Sequence, residues 1–434
     1  MGRPETTDKD FELLAGTVVA RCDLLAGCTE HPGRITRSFL SPAMEVCHRH
    51  VGNWMEGAGM AVRVDRAGNL RGYYAASDTS QTGEHAPDLI IGSHLDTVPN
   101  AGRYDGVLGV LLGIALVEAM SGRRLGLGIE VIGFSDEEGV RYGLPFIGSR
   151  SATGTLLAPH LARQDANGVA MFAALDSYAE THPDVTDPRF NPSARGYLEF
   201  HIEQGPVLEH AGLGLGVVET IVGQSRIRLT FRGRSGHAGT TPMFLRHDAL
   251  AAAAEWLLAV ESAAGSTPGL VATTGQLTCE PGAANVISCL VSCSLDVRHG
   301  SDETRHLAVE NFLAIAGEIA QRRQIEVEHL IEYEQAAVHL DSVLTAIANR
   351  AVSDTGILPR HMTSGAGHDA MIIAPKIPAA MIFLRSPGGI SHHPDEAVLA
   401  EDVALALRAG MNFLDLFQDY LDKLVESESK SCTT

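Results

Sequence analysis

The sequence predicts an α/β fold: a mixed, mostly parallel sheet in a principal domain, interrupted by an inserted α+β domain. Three observations predict it. Short apolar runs recur, each followed by a loop rich in His, Asp or Glu. A long helical pattern joins the first two of those runs. Between about residues 215 and 330 the texture changes to alternating strands with two helices.

The first run, Asp88–Ser93 (DLIIGS), is continuous and apolar, as expected of a strand buried on both faces. Gly106–Met120 follows with a helical pattern that Ser121-Gly122 closes, and Leu127–Phe134 is the next strand. Strand, helix and strand at this spacing form a βαβ unit, which implies parallel pairing and a covered sheet. Upstream, residues 35–50 and 51–63 read as helical, the second on the spacing Val51, Trp54, Met55, Ala58. Tyr197–Ile202 is a further strand. In the inserted block, Gly216–Arg232 is extended and partly alternating, His247–Ala263 helical and Asn285–Val297 strand-like. Thr304–Arg322 is helical and Ile325–Leu330 extended. The α/β texture then resumes, with helices near 340–354 and 400–418, a strand at Ala379–Leu384, and a polar tail after Glu426. The expected division is 1–214 plus 331–434 for the principal domain and 215–330 for the insert.

Composition narrows the function. With 33 Lys+Arg against 53 Asp+Glu, the net charge of −20 argues against a nucleic-acid partner, which clustered cations must grip. The longest apolar stretch, Val107–Met120, is too short to span a bilayer and contains Glu118, so no membrane partner is expected. The opening MGRPETTDKDFELLAG has neither a basic n-region nor an apolar h-region. Seven cysteines (Cys22, Cys28, Cys47, Cys279, Cys289, Cys293, Cys432) form no C-x-x-C pair, and reduced thiols of this kind point to the cytoplasm.

The chemistry gathers just past the strand ends, where open α/β sheets bind ligands. His94 and Asp96 sit two apart in GSHLDTVP and point the same way, so Asp96 is placed to orient the His94 imidazole. Asp105, at the start of the next helix, can offer one carboxylate oxygen to each of two cations, or cap that helix. In FSDEEG, Glu137 and Glu138 are adjacent, which is unfavourable unless their roles divide. One can bind metal while the other takes a proton from the attacking water. His201 in HIEQGP and the pair His392, His393 in GGISHHP follow further strands. In the insert, His237 in SGHAGTTP can donate to a developing oxyanion, and Arg298 suits a bidentate grip on a carboxylate.

As a set, GSHLDTV, YDGVLGV, DEEG, HIEQGPVLE, GHAGTTPM, SGAGHDA and GISHHP resemble the hydantoinase/carbamoylase branch of the dinuclear metallopeptidase superfamily. The resemblance runs in order from about residue 35 to 418. It implies two divalent metal ions, zinc or manganese, held by His94, Asp105, Glu138, His201 and His392, with Asp105 bridging. It makes Glu137 the general base, Asp96 the orienter of His94, and Gln204, His237, Asn285, Arg298 and Gly367 substrate contacts. Of the two adjacent histidines, the pattern selects His392, just after Ser391 and two before Pro394. In the true peptidases the ligand at the His201 position is typically a carboxylate, so histidine here favours an amidohydrolase. RSFLSP (37–42), WMEGAG (54–59), DRAGN (65–69) and FIGS (146–149) resemble allantoate amidohydrolases in particular. The implied substrate is a small ureido or carbamoyl anion, with allantoate first and N-carbamoyl-L-amino acids, β-ureidopropionate or a peptide as alternatives. A homodimer is also implied, with the insert as lid and dimerisation domain.

Overall fold

The computed structural model describes residues 7–77 and 88–431; the first six residues and Cys432 lie outside the described residues. The chain forms two compact units. The first comprises residues 1–219, 339–362 and 367–434, the second 220–338 and 363–366.

A mixed sheet underlies the first unit. Its centre is four parallel strands in the spatial order Gly128–Phe134, Asp88–His94, Ala194–Ile202, Ala379–Leu384. Antiparallel strands flank this centre, Leu70–Tyr74 and Ala61–Val64 on one side and Leu215–Ile221 on the other. The register sets the strand ends level: His94 lies opposite Phe134, and His201 opposite Phe383. The four carboxyl ends therefore form a single ledge.

The helix Val107–Ala119 crosses between the first two parallel strands, as the βαβ reading requires. All its residues except Glu118 are buried, because the sheet lies on one side and the helices Asp8–Leu25 and Ala400–Ser431 on the other. A helix apolar all round belongs in such a place, and each fully buried Leu, Ile or Val contributes roughly 1.5–3 kcal/mol. Glu118 is tied to Arg21 at 2.8 Å, so its charge joins two helices.

Two helical spans expected at 35–50 and 51–63 are one helix, Pro42–Gly57. Ser41 starts it, its side chain accepting the Met44 N–H, and Pro42 takes the first turn, where no N–H is required. Past Gly59, at φ 85°, Ala61–Val64 is a strand, and its β-branched Val62 and Val64 suit that state. The last helix runs from Ala400 to Ser431, through the stretch expected as a polar tail.

The second unit is a five-stranded antiparallel sheet with helices Ala249–Ser266 and Asp302–Arg323. Strand Gly223–Arg232 alternates: Ile227, Leu229 and Phe231 are fully buried, while Arg226, Arg228 and Arg232 point outward. Val291, Cys293, Leu295 and Val297 of strand Leu290–His299 share that core with Trp256 and Phe312. The strand expected from Asn285 begins only at Leu290; residues 285–287 pair with the His237 loop instead. Strand Glu326–Gln335 pairs with Gly223–Arg232 along its length, which carries the unit to residue 338 rather than 330.

Candidate metal centre

Five of the predicted residues converge on the ledge. His94 ends its strand, His201 lies one residue before the end of the neighbouring strand, Glu138 follows Phe134 in the next loop, and His392 follows Leu384. Asp105 precedes the crossover helix. That helix is capped by Gly106 with no side-chain bond, so the Asp105 carboxylate is not spent on a helix N–H. Its oxygens are divided. Oδ1 lies 3.6 Å from His94 Nε2 and 3.3 Å from His201 Nε2, while Oδ2 lies 3.2 Å from His392 Nε2. His392 Nε2 is also 3.6 Å from Glu138. Two donor groups result, His94–Asp105–His201 and Asp105–Glu138–His392, sharing Asp105. Gly106 makes room: it adopts φ 68°, and a Cβ there would fall 2.4 Å from the His94 ring.

The ring orientations fit cations. His94 Nδ1 lies 3.0 Å from the Asp96 carbonyl, and His201 Nδ1 lies 2.9 Å from the Ile202 carbonyl. A carbonyl can only accept, so each Nδ1 carries the proton and each Nε2 turns toward Asp105. Metal-binding histidines are held this way. Asp96 orients His94 through its main chain, not through its carboxylate, which stands 3.7 Å from Nδ1. The carboxylate instead accepts the N–H groups of Glu137 (3.0 Å) and Glu138 (3.1 Å), fixing the glutamate loop.

Electrostatics point the same way. Burial pushes the Glu138 carboxyl up to about 7, with Asp105 adding to the effect. Burial also holds Glu137 well above the usual carboxylate range; His94 opposes this, and Glu138, Asp369 and Asp96 reinforce it. The hydrogen bond to Asp105 raises His392 to about 9 against its burial. Burial disfavours charge on Asp105, yet His201, His392 and His94 hold it well below the usual range. Crowded buried carboxylates facing imidazole nitrogens call for positive charge between them, and divalent cations supply it to mixed His/carboxylate donors.

Gln204, at φ 58°, places Nε2 3.0 Å from Asp105 Oδ2 and 3.0 Å from Ser391 Oγ. Gly367 packs on Phe146, where a Cβ would meet the ring at 2.8 Å. His393 is outside the cluster: its Nδ1 accepts the Asp395 N–H at 3.2 Å and its side chain is exposed. His237, Asn285 and Arg298 lie in the second unit. There His237 bridges to Val286, Ala238 N–H donates to the Asn285 carbonyl at 2.9 Å, and both side chains are exposed. Arg298 is held by Asp296 (2.8 and 3.2 Å) and by the Gly365 carbonyl (2.8 Å).

Sequence reasoning passed over two polar groups. Glu199, beneath His201, accepts from Tyr197 Oη and the Ala370 N–H, both at 3.0 Å. Glu396 accepts the N–H of Asp105 itself. A Glu within a strand buried on both faces gives one weak signal, charge inside an otherwise apolar run; a Glu in a loop gives no signal at all.

The profile of peptidase family M20/M25/M40 matches residues 90–415, which hold all five clustered residues. The chain belongs to this family. Within it, the chain is 37% identical over 443 residues to allantoate deiminase 1 of Glycine max, covering 93% of this chain and 90% of that protein. It is 38% identical over 377 residues to the N-carbamoyl-L-amino acid amidohydrolase of Geobacillus stearothermophilus, covering 86% and 91%. Among solved structures it is similar to a hydantoinase/carbamoylase family amidase from Burkholderia ambifaria. That match has a TM-score of 0.84 at 31% identity and covers 92% of this chain and 96% of that one. Among the described residues, no helix is long and apolar enough to cross a membrane.

Proposed function

We propose that the protein is a metal-dependent amidohydrolase that cleaves a ureido C–N bond, converting allantoate to ureidoglycine, ammonia and carbon dioxide. The observation that carries the chemistry is the divided Asp105 carboxylate with Glu137 alongside. The allantoate deiminases, matched over more than nine-tenths of this chain, support the substrate. Two divalent ions, zinc or manganese, when bound to His94, His201, Asp105, Glu138 and His392, would polarise the scissile carbonyl and lower the pKa of water from 15.7 towards about 7.

The chain's own residues do the rest. Glu137 takes the proton of the attacking water and passes it to the leaving nitrogen. A carboxylate whose burial raises its proton affinity accepts a proton more readily than an exposed one, which suits this role. The Asp96 carboxylate keeps Glu137 in place by accepting its main-chain N–H. Arg298 grips the substrate carboxylate: Asp296 and Gly365 occupy three of its five N–H groups, leaving one on each terminal nitrogen for a bidentate contact. Gln204, Asn285 and Gly367 contact the ureido arms. His237 donates to the oxyanion, supplied with Asn285 by the neighbouring subunit of a homodimer in which the second unit serves as lid and dimerisation domain. The six free thiols among the described residues fit a cytoplasmic enzyme.

The 38% identity to an N-carbamoyl-L-amino acid amidohydrolase supports a second reading, in which the carbamoyl group of such an amino acid is removed. Comparing kcat/KM for allantoate and a panel of N-carbamoyl-L-amino acids, on protein loaded separately with zinc and manganese, decides between them. Allantoate is expected to be the better substrate. Preference for a carbamoyl amino acid would overturn the substrate while leaving the chemistry intact.

A further inference from the structure

Glu396 has no part in the reading above, yet it joins two ligand-bearing segments almost three hundred residues apart. It is 4% exposed. Its Oε1 accepts the main-chain N–H groups of Tyr104 (2.8 Å) and Asp105 (3.1 Å), and its Oε2 lies 3.2 Å from Ser391 Oγ. Ser391 immediately precedes His392, and its hydroxyl also lies 3.4 Å from Asp105 Oδ2. The Glu396 N–H donates to the His393 carbonyl at 3.0 Å, closing the histidine loop on itself. The fold keeps a space for this side chain: a Cβ on Gly102 would fall 2.3 Å from Oε1 and 2.4 Å from the Glu396 Cβ.

A buried carboxylate is costly unless donors surround it. Here the donors are two N–H groups of the Asp105 segment and the hydroxyl beside His392. With these three donors on its two oxygens, Glu396 ties the two segments together. The two halves of the centre also differ in support. His94 and His201 are buried on strands of a parallel sheet. His392 stands on a loop, its side chain 51% exposed, at φ 54°. Its backbone sits in a region costly for a non-glycine residue and persists only where surrounding contacts over-determine it.

We propose that Glu396 is a positioning residue that fixes the distance between Asp105 and His392, and so selectively supports the cation position formed by Asp105, Glu138 and His392. This rests on reading that group as a cation site. The experiment is calorimetric titration of metal-stripped full-length protein with Zn²⁺ and, separately, Mn²⁺. The parent is expected to show two binding events. Glu396→Ala should keep one near its parental affinity and weaken the other by about 10–100-fold, the usual cost of removing a partner behind a metal ligand. Glu396→Gln should stay close to the parent, because its oxygen can accept the two N–H groups while its amide donates to Ser391. Should Glu396→Ala fail to fold, Glu396→Asp decides, since its shorter side chain keeps the charge but cannot span from the Asp105 segment to Ser391 and should weaken the same event. Equal weakening of both events, or no change in either, overturns the clamp. A single event in the parent overturns the two-cation reading together with the clamp.

Discussion

Glu137 and Glu138 are neighbours in sequence with different surroundings. Glu137 is buried, facing His94 and the carboxylates of Asp96 and Asp369, whereas Glu138 reaches the half-exposed His392. The division of roles follows from that geometry. Glu137→Gln should retain both cations in metal analysis and lose about 10²–10⁴-fold in turnover, the usual worth of a general base; near-parental turnover would move the role elsewhere. His48 tests burial away from the site. Burial, with Arg37 and His182, lowers its imidazole to about 4, so the folded protein keeps it neutral while the unfolded chain takes up a proton below about pH 6.5. Between those values the unfolded state binds more protons, and stability falls as pH falls from about 6.5 to about 4. In denaturant unfolding, His48→Gln should reduce the stability lost between pH 7 and pH 4 by up to about 3 kcal/mol. An unchanged pH slope would show that His48 is protonated in the fold.

At the scale of elements, the strands of the parallel centre and the crossover helix were legible because each is uniformly apolar and bounded by loop residues. The helix Pro42–Gly57 starts later than apolar spacing suggests and runs as one span, since its start depends on the Ser41-Pro42 cap and its end on Gly59; apolar spacing reports neither. The turn into the crossover helix carries a prediction. Gly106→Ala puts a Cβ 2.4 Å from the His94 ring at a φ of 68°. This positive-φ backbone, outside the helical regions, should alone cost an alanine about 1–3 kcal/mol, seen in thermal unfolding of the metal-stripped protein. The displaced imidazole should weaken cation binding beyond that. Parental metal affinity in this variant would mean that the His94 position is not set by the turn.

For the whole molecule, the proposed dimer makes each active site depend on two chains. His237→Ala and Glu137→Gln proteins, each nearly inactive alone, should recover activity when mixed under conditions that exchange subunits, because a heterodimer contains one site with both groups intact. No recovery after mass spectrometry has verified exchange would place His237 within its own chain's site or outside catalysis.

The α/β class, the insert and the five clustered residues could be read from the sequence, because apolar period, turn residues and spaced His/Asp/Glu motifs are local signals. Tertiary structure decided what depends on contact between distant segments. Strand register set His94 and His201 level, the divided Asp105 carboxylate faced both donor groups, and Asp96 turned from imidazole orienter by side chain into anchor of the glutamate loop. Glu396 shows the limit most plainly. Its three donors come from residues 104, 105 and 391, and a buried carboxylate acquires its meaning only from the donors that folding brings to it.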